Sequence, residues 1–155
     1  MSNRIIYLFI HILVAPRSCP RGFEQVKNDC FYLSDRSVGW IEAKKGCEGR
    51  GARLVSLETE VKMQNLLDWV SDKTRRRRSK YWTGGNDIEV EGAWEWAGTR
   101  GAEVASFGWT QLGLEESFAE NCLAWSVTFG WNIGDNESSW AGVSCCNRLR
   151  FICQA

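Results

Sequence analysis

Three textures of apolar and polar residues follow one another along this chain. The first is a single run, Ile5 to Ala15, apolar apart from His11 and preceded by Arg4. A run this short cannot span a bilayer as a helix, which takes roughly 20 residues. With the small residues Ala15 and Ser18 behind it, the run has the order of a secretory signal peptide over residues 1–18. The second texture has a helical period. Trp40, Ala43 and Cys47 share one face, with Ser34 to Ser37 as candidate N-caps and Gly49 and Gly51 as stops. Met63, Leu66, Leu67 and Val70 form a second stripe, read as core. It predicts a helix capped by Ser56, with Glu58 and Glu60 in the first turn, where negative charge suits the helix dipole. Lys73 to Lys80, carrying four consecutive arginines, follows its end. The third texture consists of short aromatic and β-branched runs. Cys30–Leu33 comes early; Tyr81-Trp82-Thr83, Ala93–Trp96, Cys122–Trp125 and Phe151–Cys153 come late. Helices first and most strands later indicate one α+β domain over residues 19–155 rather than alternating βαβ units.

Composition narrows the picture. Nine tryptophans in 155 residues imply a core filled by bulky rings, with some left for a ligand. Loss of residues 1–18 would remove Arg4 and Arg17 from the 19 basic residues, leaving 17 against 19 acidic ones. That balance does not suit nucleic acid as the main partner, and no later segment is apolar enough for stable membrane insertion. The only histidine, His11, would leave with the signal peptide. A chain without imidazole cannot run Ser–His–Asp or Cys–His chemistry or build a His-ligated catalytic zinc. Seven cysteines behind a signal peptide enter an oxidising compartment, so disulfides and a secreted, extracellular location are expected. Seven is odd, so one thiol is free, capped or bonded to another chain.

From Cys19 onward, the pieces Cys19-Pro-Arg-Gly-Phe, Cys30-Phe-Tyr, Trp40-x-x-Ala43-x-x-x-Cys47, Leu54-Val-Ser-Leu, Trp82-x-Gly84, Gly92-x-Trp94-x-Trp96, Glu120-Asn-Cys122 and Phe151-Ile-Cys153 together resemble the C-type lectin-like domain family. No one piece is specific; their order and spacing are. The resemblance implies two helices flanking small antiparallel sheets, a long irregular loop region, and staples Cys19–Cys30, Cys47–Cys153 and Cys122–Cys145. Cys146 is then the spare thiol, with a swap onto Cys122 as the alternative and a homodimer through Cys146 as one outcome.

Sugar-binding members of that family hold calcium with oxygen ligands, and the ion grips two sugar hydroxyls. Calcium takes six to eight hard oxygens. The family draws them from a Glu-Pro-Asn or Gln-Pro-Asp loop, a Glu before the next cysteine, and a Trp-Asn-Asp strand. Here the first falls near Gly113-Leu114-Glu115 without proline, and the last reads Trp140-Ala141-Gly142, which deletes two ligands. Glu120 survives, with Glu115 as a second, so the usual calcium-dependent sugar site is not expected. Glu115, Glu120, Trp131, Asn132, Asp135 and Trp140 are the candidate ligand-binding residues. The segment Trp131–Glu137 reads as an insertion near the same rim, able at most to rebuild a cation site. An auxiliary, structural calcium fits better: Asp87 and Glu91 match a family pair, with Glu116, Glu120 and Asn121 to complete it. Calcium is the only cofactor expected.

Asn136-Glu137-Ser138 is an N-glycosylation sequon, placed by this reading beside the binding rim. Arg75, Arg76, Arg77 and Arg78 read as a solvated basic helix end, then as an anionic-glycan patch, then as a processing site before Ser79. Glu115 with Glu120 has the residue types of a glycosidase pair, yet acid clusters in such a domain serve as metal ligands or solvated loops, so no enzyme is expected. The leading expectation is a secreted recognition protein for a glycan or glycoprotein. The rival is a calcium-independent protein-binding or structural adhesion module.

Overall fold

The structure is a computed structural model that describes residues 18–74, 77–99, 121–130 and 135–155. Among them the elements run β1 (Glu24–Val26), β2 (Asp29–Leu33), α1 (Trp40–Glu48), β3 (Arg53–Leu54), α2 (Glu60–Lys73), β4 (Arg78–Asn86), β5 (Glu95–Trp96), β6 (Cys122–Thr128), β7 (Glu137–Val143) and β8 (Arg150–Gln154). The α+β architecture stands, but the helices do not simply precede the strands: β1 and β2 come before α1, and β3 separates the helices. The last strand joins what would otherwise be two sheets. β8 pairs antiparallel with β2 and β3 and parallel with β4, giving the order β1-β2-β8-β4-β6-β7.

Both helices form where their apolar stripes fall, and both are capped otherwise than their serines suggest. Gly39 is the N-cap of α1 and offers no side-chain bond. The first helical N–H, on Trp40, instead donates to the Cys145 carbonyl at 2.9 Å, so a distant segment satisfies a donor that a serine would otherwise serve. Ser34 is buried, donating to the Arg36 carbonyl and accepting from the Phe151 N–H. Thr59, not Ser56, caps α2 by accepting from the Lys62 N–H at 3.2 Å. Ser56 is buried and donates to Glu58, which Lys62 also pairs at 3.0 Å. Partial burial pushes the Glu58 carboxyl up, but the hydrogen bonds from Ser56 and Lys62 outweigh it and hold Glu58 below the ordinary carboxylate range.

The core lies in two clusters on opposite faces of the β4–β6 pair. Trp40, Ala43 and Cys47 of α1 pack with Leu54, Trp82 and Ala124 on one face. Leu66, Leu67 and Val70 of α2 pack with Tyr81, Trp125, Val127 and Ile152 on the other. Two of the buried indoles have polar partners: the Trp40 N–H donates to the Thr83 carbonyl and that of Trp82 to the Val38 carbonyl, each at 2.8 Å. Three disulfides, Cys19–Cys30, Cys47–Cys153 and Cys122–Cys145, close as the resemblance implies, and Cys146 is left free and exposed.

Candidate functional site

The β4–β6–β7 sheet carries the candidate residues, and its two ends are different places. At one end β4 breaks its regular pairing with β6 between Trp82 and Asn86. Glycine is required there. A Cβ on Gly85 would stand 2.5 Å from Leu123 Cδ2 and 2.8 Å from Leu123 Cβ, and one on Gly84 would stand 3.2 Å from the Leu54 carbonyl oxygen. Asn86, buried, then pins the departing loop: its amide donates to the Gly84 carbonyl at 3.1 Å and its oxygen accepts from the Ile88 N–H at 3.4 Å. Sequence reasoning passed over Asn86, although an Asn behind two glycines inside a strand pattern is itself a signal of irregular backbone.

That loop delivers the auxiliary pair. The Asp87 N–H donates to the Asn121 carbonyl at 3.1 Å. Asp87 Oδ2 accepts from the Gly92 N–H at 2.9 Å, and Glu91 Oε2 accepts from the Asn121 amide at 3.0 Å. The structure thus brings Asp87, Glu91 and Asn121 into one hydrogen-bonded group. Asp87 is only 3% exposed, and among the described residues its buried Oδ1 has no hydrogen-bond partner. An orphaned buried acceptor costs on the order of 1–3 kcal/mol, and a hard cation is the natural partner for a carboxylate oxygen so placed. No group of three metal-ligating side chains occurs among the described residues. Glu115, Glu116 and Glu120, the remaining acids expected here, lie outside them.

β7 leaves this rim without the family's sugar ligands. Ala141 stands opposite Ala124 and Gly142 opposite Leu123, so neither presents a side-chain oxygen. Trp140 turns to the other face, where its ring packs against Trp96 at 6.3 Å and Trp125 at 6.4 Å. It thus belongs with the aromatic core that α2 covers rather than with an open rim.

The other end of the sheet holds the segment expected beside the rim. Asp135, Asn136 and Glu137 sit at the start of β7, seven residues long, whose Val143 end pairs with Cys122. At about 3.3 Å per residue the two ends are about 20 Å apart. Neither the sequon at Asn136 nor Asp135 stands beside the Asp87 rim, and a rebuilt cation site at that rim has no support from them. Position between two strands in sequence does not say which end of a hairpin a segment occupies; the register does. Trp131 and Asn132 lie outside the described residues. The basic run meets this far end. Arg75 and Arg76 are also outside the described residues, but the Arg77 carbonyl accepts from the Phe129 N–H at 2.8 Å and Arg78 is the first residue of β4, opposite Thr128. Arg78 thus belongs to a strand, not to a helix end, and cleavage before Ser79 would require opening the β4–β6 ladder.

The C-type lectin domain model matches residues 36–155, and the chain belongs to that family. Among relatives, it is 30% identical over 140 residues to the galactose-specific lectin nattectin of Thalassophryne nattereri, covering 90% of this chain and 81% of nattectin. It is 29% identical over 137 residues to the perlucin-like protein of Mytilus galloprovincialis, covering 83% of this chain and 86% of that one. The fold is similar to human lithostathine at a TM-score of 0.70 and 21% identity, over 96% of this chain and 98% of that one. No helix among the described residues is long and apolar enough to cross a membrane.

Proposed function

We propose that this chain is a secreted recognition module, exported by residues 1–18, that binds a glycan or glycoprotein without the calcium-centred sugar grip of its family. The observation that carries the reading is β7, which offers Ala141 and Gly142 where that grip needs two oxygen ligands. Kinship with a lectin named as galactose-specific supports a sugar-bearing ligand. The three disulfides support an oxidising, extracellular setting. The contact surface in this reading is the loop face beside Asp87, to which Glu115 and Glu120 are assigned, with Arg75–Arg78 as a separate contact for anionic glycans; Trp131 and Asn132, which belong to the β6–β7 connection, are not assigned to the Asp87 face. No catalytic role is assigned to any residue.

Calcium has a structural place in this reading. Asp87 and Glu91, with Asn121, Glu116 and Glu120, would hold it; the ion would tie the loop after β4 to the segment before β6. Asp87 Oδ1, without a partner among the described residues, supports that assignment. A ligand that binds only the folded chain raises its stability, by about 2.7 kcal/mol at a hundredfold excess over Kd. Thermal unfolding across a calcium titration should therefore show a rising midpoint in the native chain and none in Asp87→Asn. A flat response in both removes the site. Glycan arrays read with and without a chelator test the ligand. Capture that survives chelation is expected, and capture of mannose- or galactose-type sugars abolished by the chelator would overturn the reading of β7. A protein-binding or adhesion module dimerised through Cys146 is the second reading, favoured by the exposure of that thiol; a covalent dimer on a non-reducing gel would support it.

A further inference from the structure

The strand register assembles a partly exposed platform at the far end of the sheet that the linear sequence does not reveal. Alternation along β4 sends Tyr81 into the cluster covered by α2 and Trp82 into the cluster covered by α1. Arg78 and Lys80 share the Trp82 face, and both are exposed. Across the sheet, Arg78 stands opposite Thr128, which stands opposite Glu137; Lys80 stands opposite Ser126, which stands opposite Ser139. Trp82, Ala124 and Ala141 form the next row inward, where α1 packs. Six residues thus form two adjacent rows across three strands, just beyond the part of this face that α1 covers.

We infer that this platform, Arg78 and Lys80 beside the hydroxyls of Ser126, Thr128 and Ser139, binds a sulfated polysaccharide. The two cations lie about 7 Å apart along the strand, with neighbouring strands about 4.8 Å away. Among the described residues neither cation has an ion pair or a side-chain hydrogen bond to give up in taking an anion. The other two strands present three hydroxyls, which donate and accept, and the Glu137 carboxylate, which accepts only. A surface with cations on one strand and hydrogen-bonding oxygens on the next two matches a ligand that is both anionic and rich in hydroxyls. Nucleic acid fits less well, because no ring on the platform offers a base a stacking partner. The platform stands about a β7 length from the Asp87 rim, so the two surfaces can be occupied independently. The inference rests on the reading of the basic run as an anionic-glycan contact and moves its centre from the arginine tetrad to the strand residue Lys80.

Elution from immobilised heparin along a salt gradient tests it. The native chain should be retained, and Arg78→Gln/Lys80→Gln should bind at least tenfold more weakly with an unchanged melting midpoint, while Asp87→Asn elutes with the native chain. Ser126→Ala/Ser139→Ala should weaken binding by a smaller factor. Retention of the Arg78/Lys80 variant at native strength overturns the platform. If Arg75→Gln/Arg76→Gln alone abolishes retention, the basic-run reading survives and the platform does not. If the native chain fails to bind heparin, both fail. Binding to duplex DNA as tight as to heparin would overturn the choice of a sulfated polysaccharide.

Discussion

The Asp87 end and the Arg78 end of the β4–β6–β7 sheet are built from the same three strands, and their chemistry is opposite. At the Asp87 end the backbone is irregular, two glycines lie against neighbouring groups, the Cys122–Cys145 disulfide ties β6 to the segment after β7, and a buried carboxylate oxygen has no partner among the described residues. At the Arg78 end the ladder is regular, with cations, one acid and the Ser139 hydroxyl exposed and the Ser126 and Thr128 hydroxyls half-buried between them. The first end is shaped by constraint and the second by surface composition. Substitutions should therefore damage stability at the first and binding alone at the second.

The largest expected effect removes what both ends share. The Cys47–Cys153 bridge spans 106 residues and joins α1 to β8, the strand that links the two halves of the sheet. In the chain-entropy model its loss costs about 4–5 kcal/mol. Cys47→Ser/Cys153→Ser should accordingly unfold at far lower urea, and both surfaces should be lost together; a native-like urea midpoint would show that the bridge is dispensable. Next comes Gly85→Ala, which acts on the Asp87 end alone. Overpacking against Leu123 should cost about 1–3 kcal/mol and blunt any calcium-induced rise in melting midpoint, while heparin elution stays native. A simultaneous shift in heparin elution would mean that the two ends are coupled.

The smallest effect concerns pH. Glu58, whose carboxyl is held below its ordinary value of 4.5, contributes stability that is present above that value and lost as pH falls through the lower folded one. Its side chain is more than a third exposed, so screening keeps the contribution under about 1 kcal/mol. Glu58→Gln should be slightly less stable than the native chain at neutral pH and equal to it in acid. A gap that persists below the folded value would assign the effect to shape rather than charge.

Much of the frame was legible because it depends on local period and on cysteine order. The stripe Leu66, Leu67 and Val70 is buried in α2 as its spacing predicts, and Trp40, Ala43 and Cys47 are buried in α1. The caps were not legible. Ser34 and Ser56 have the side chains of N-caps, but tertiary burial gave each a different partner, and the Trp40 N–H found the Cys145 carbonyl 105 positions away in the chain. Asp87 and Glu91, paired in the sequence by their match to a family motif, lie on one loop and both bond to Asn121. Trp140, expected among the ligand-binding residues from its place in the family's strand motif, packs against Trp96 and Trp125, because a motif position does not say which face of the strand a ring occupies.

Residue identity by itself determined the disulfide count with its odd thiol, the two apolar helix stripes, the family's order of motifs and the missing oxygens at Ala141 and Gly142. These are properties of single positions or of short periods, which survive without knowledge of the fold. Only the tertiary structure decided that Asn136 and Asp135 stand about 20 Å from the calcium-type rim, and that Lys80 joins Arg78 on one platform with Ser126, Thr128 and Ser139. The reason is register: hydrogen bonding between strands far apart in the chain sets which side chains share a face and which end of a hairpin each segment occupies, and a one-residue slip would reverse every one of those assignments.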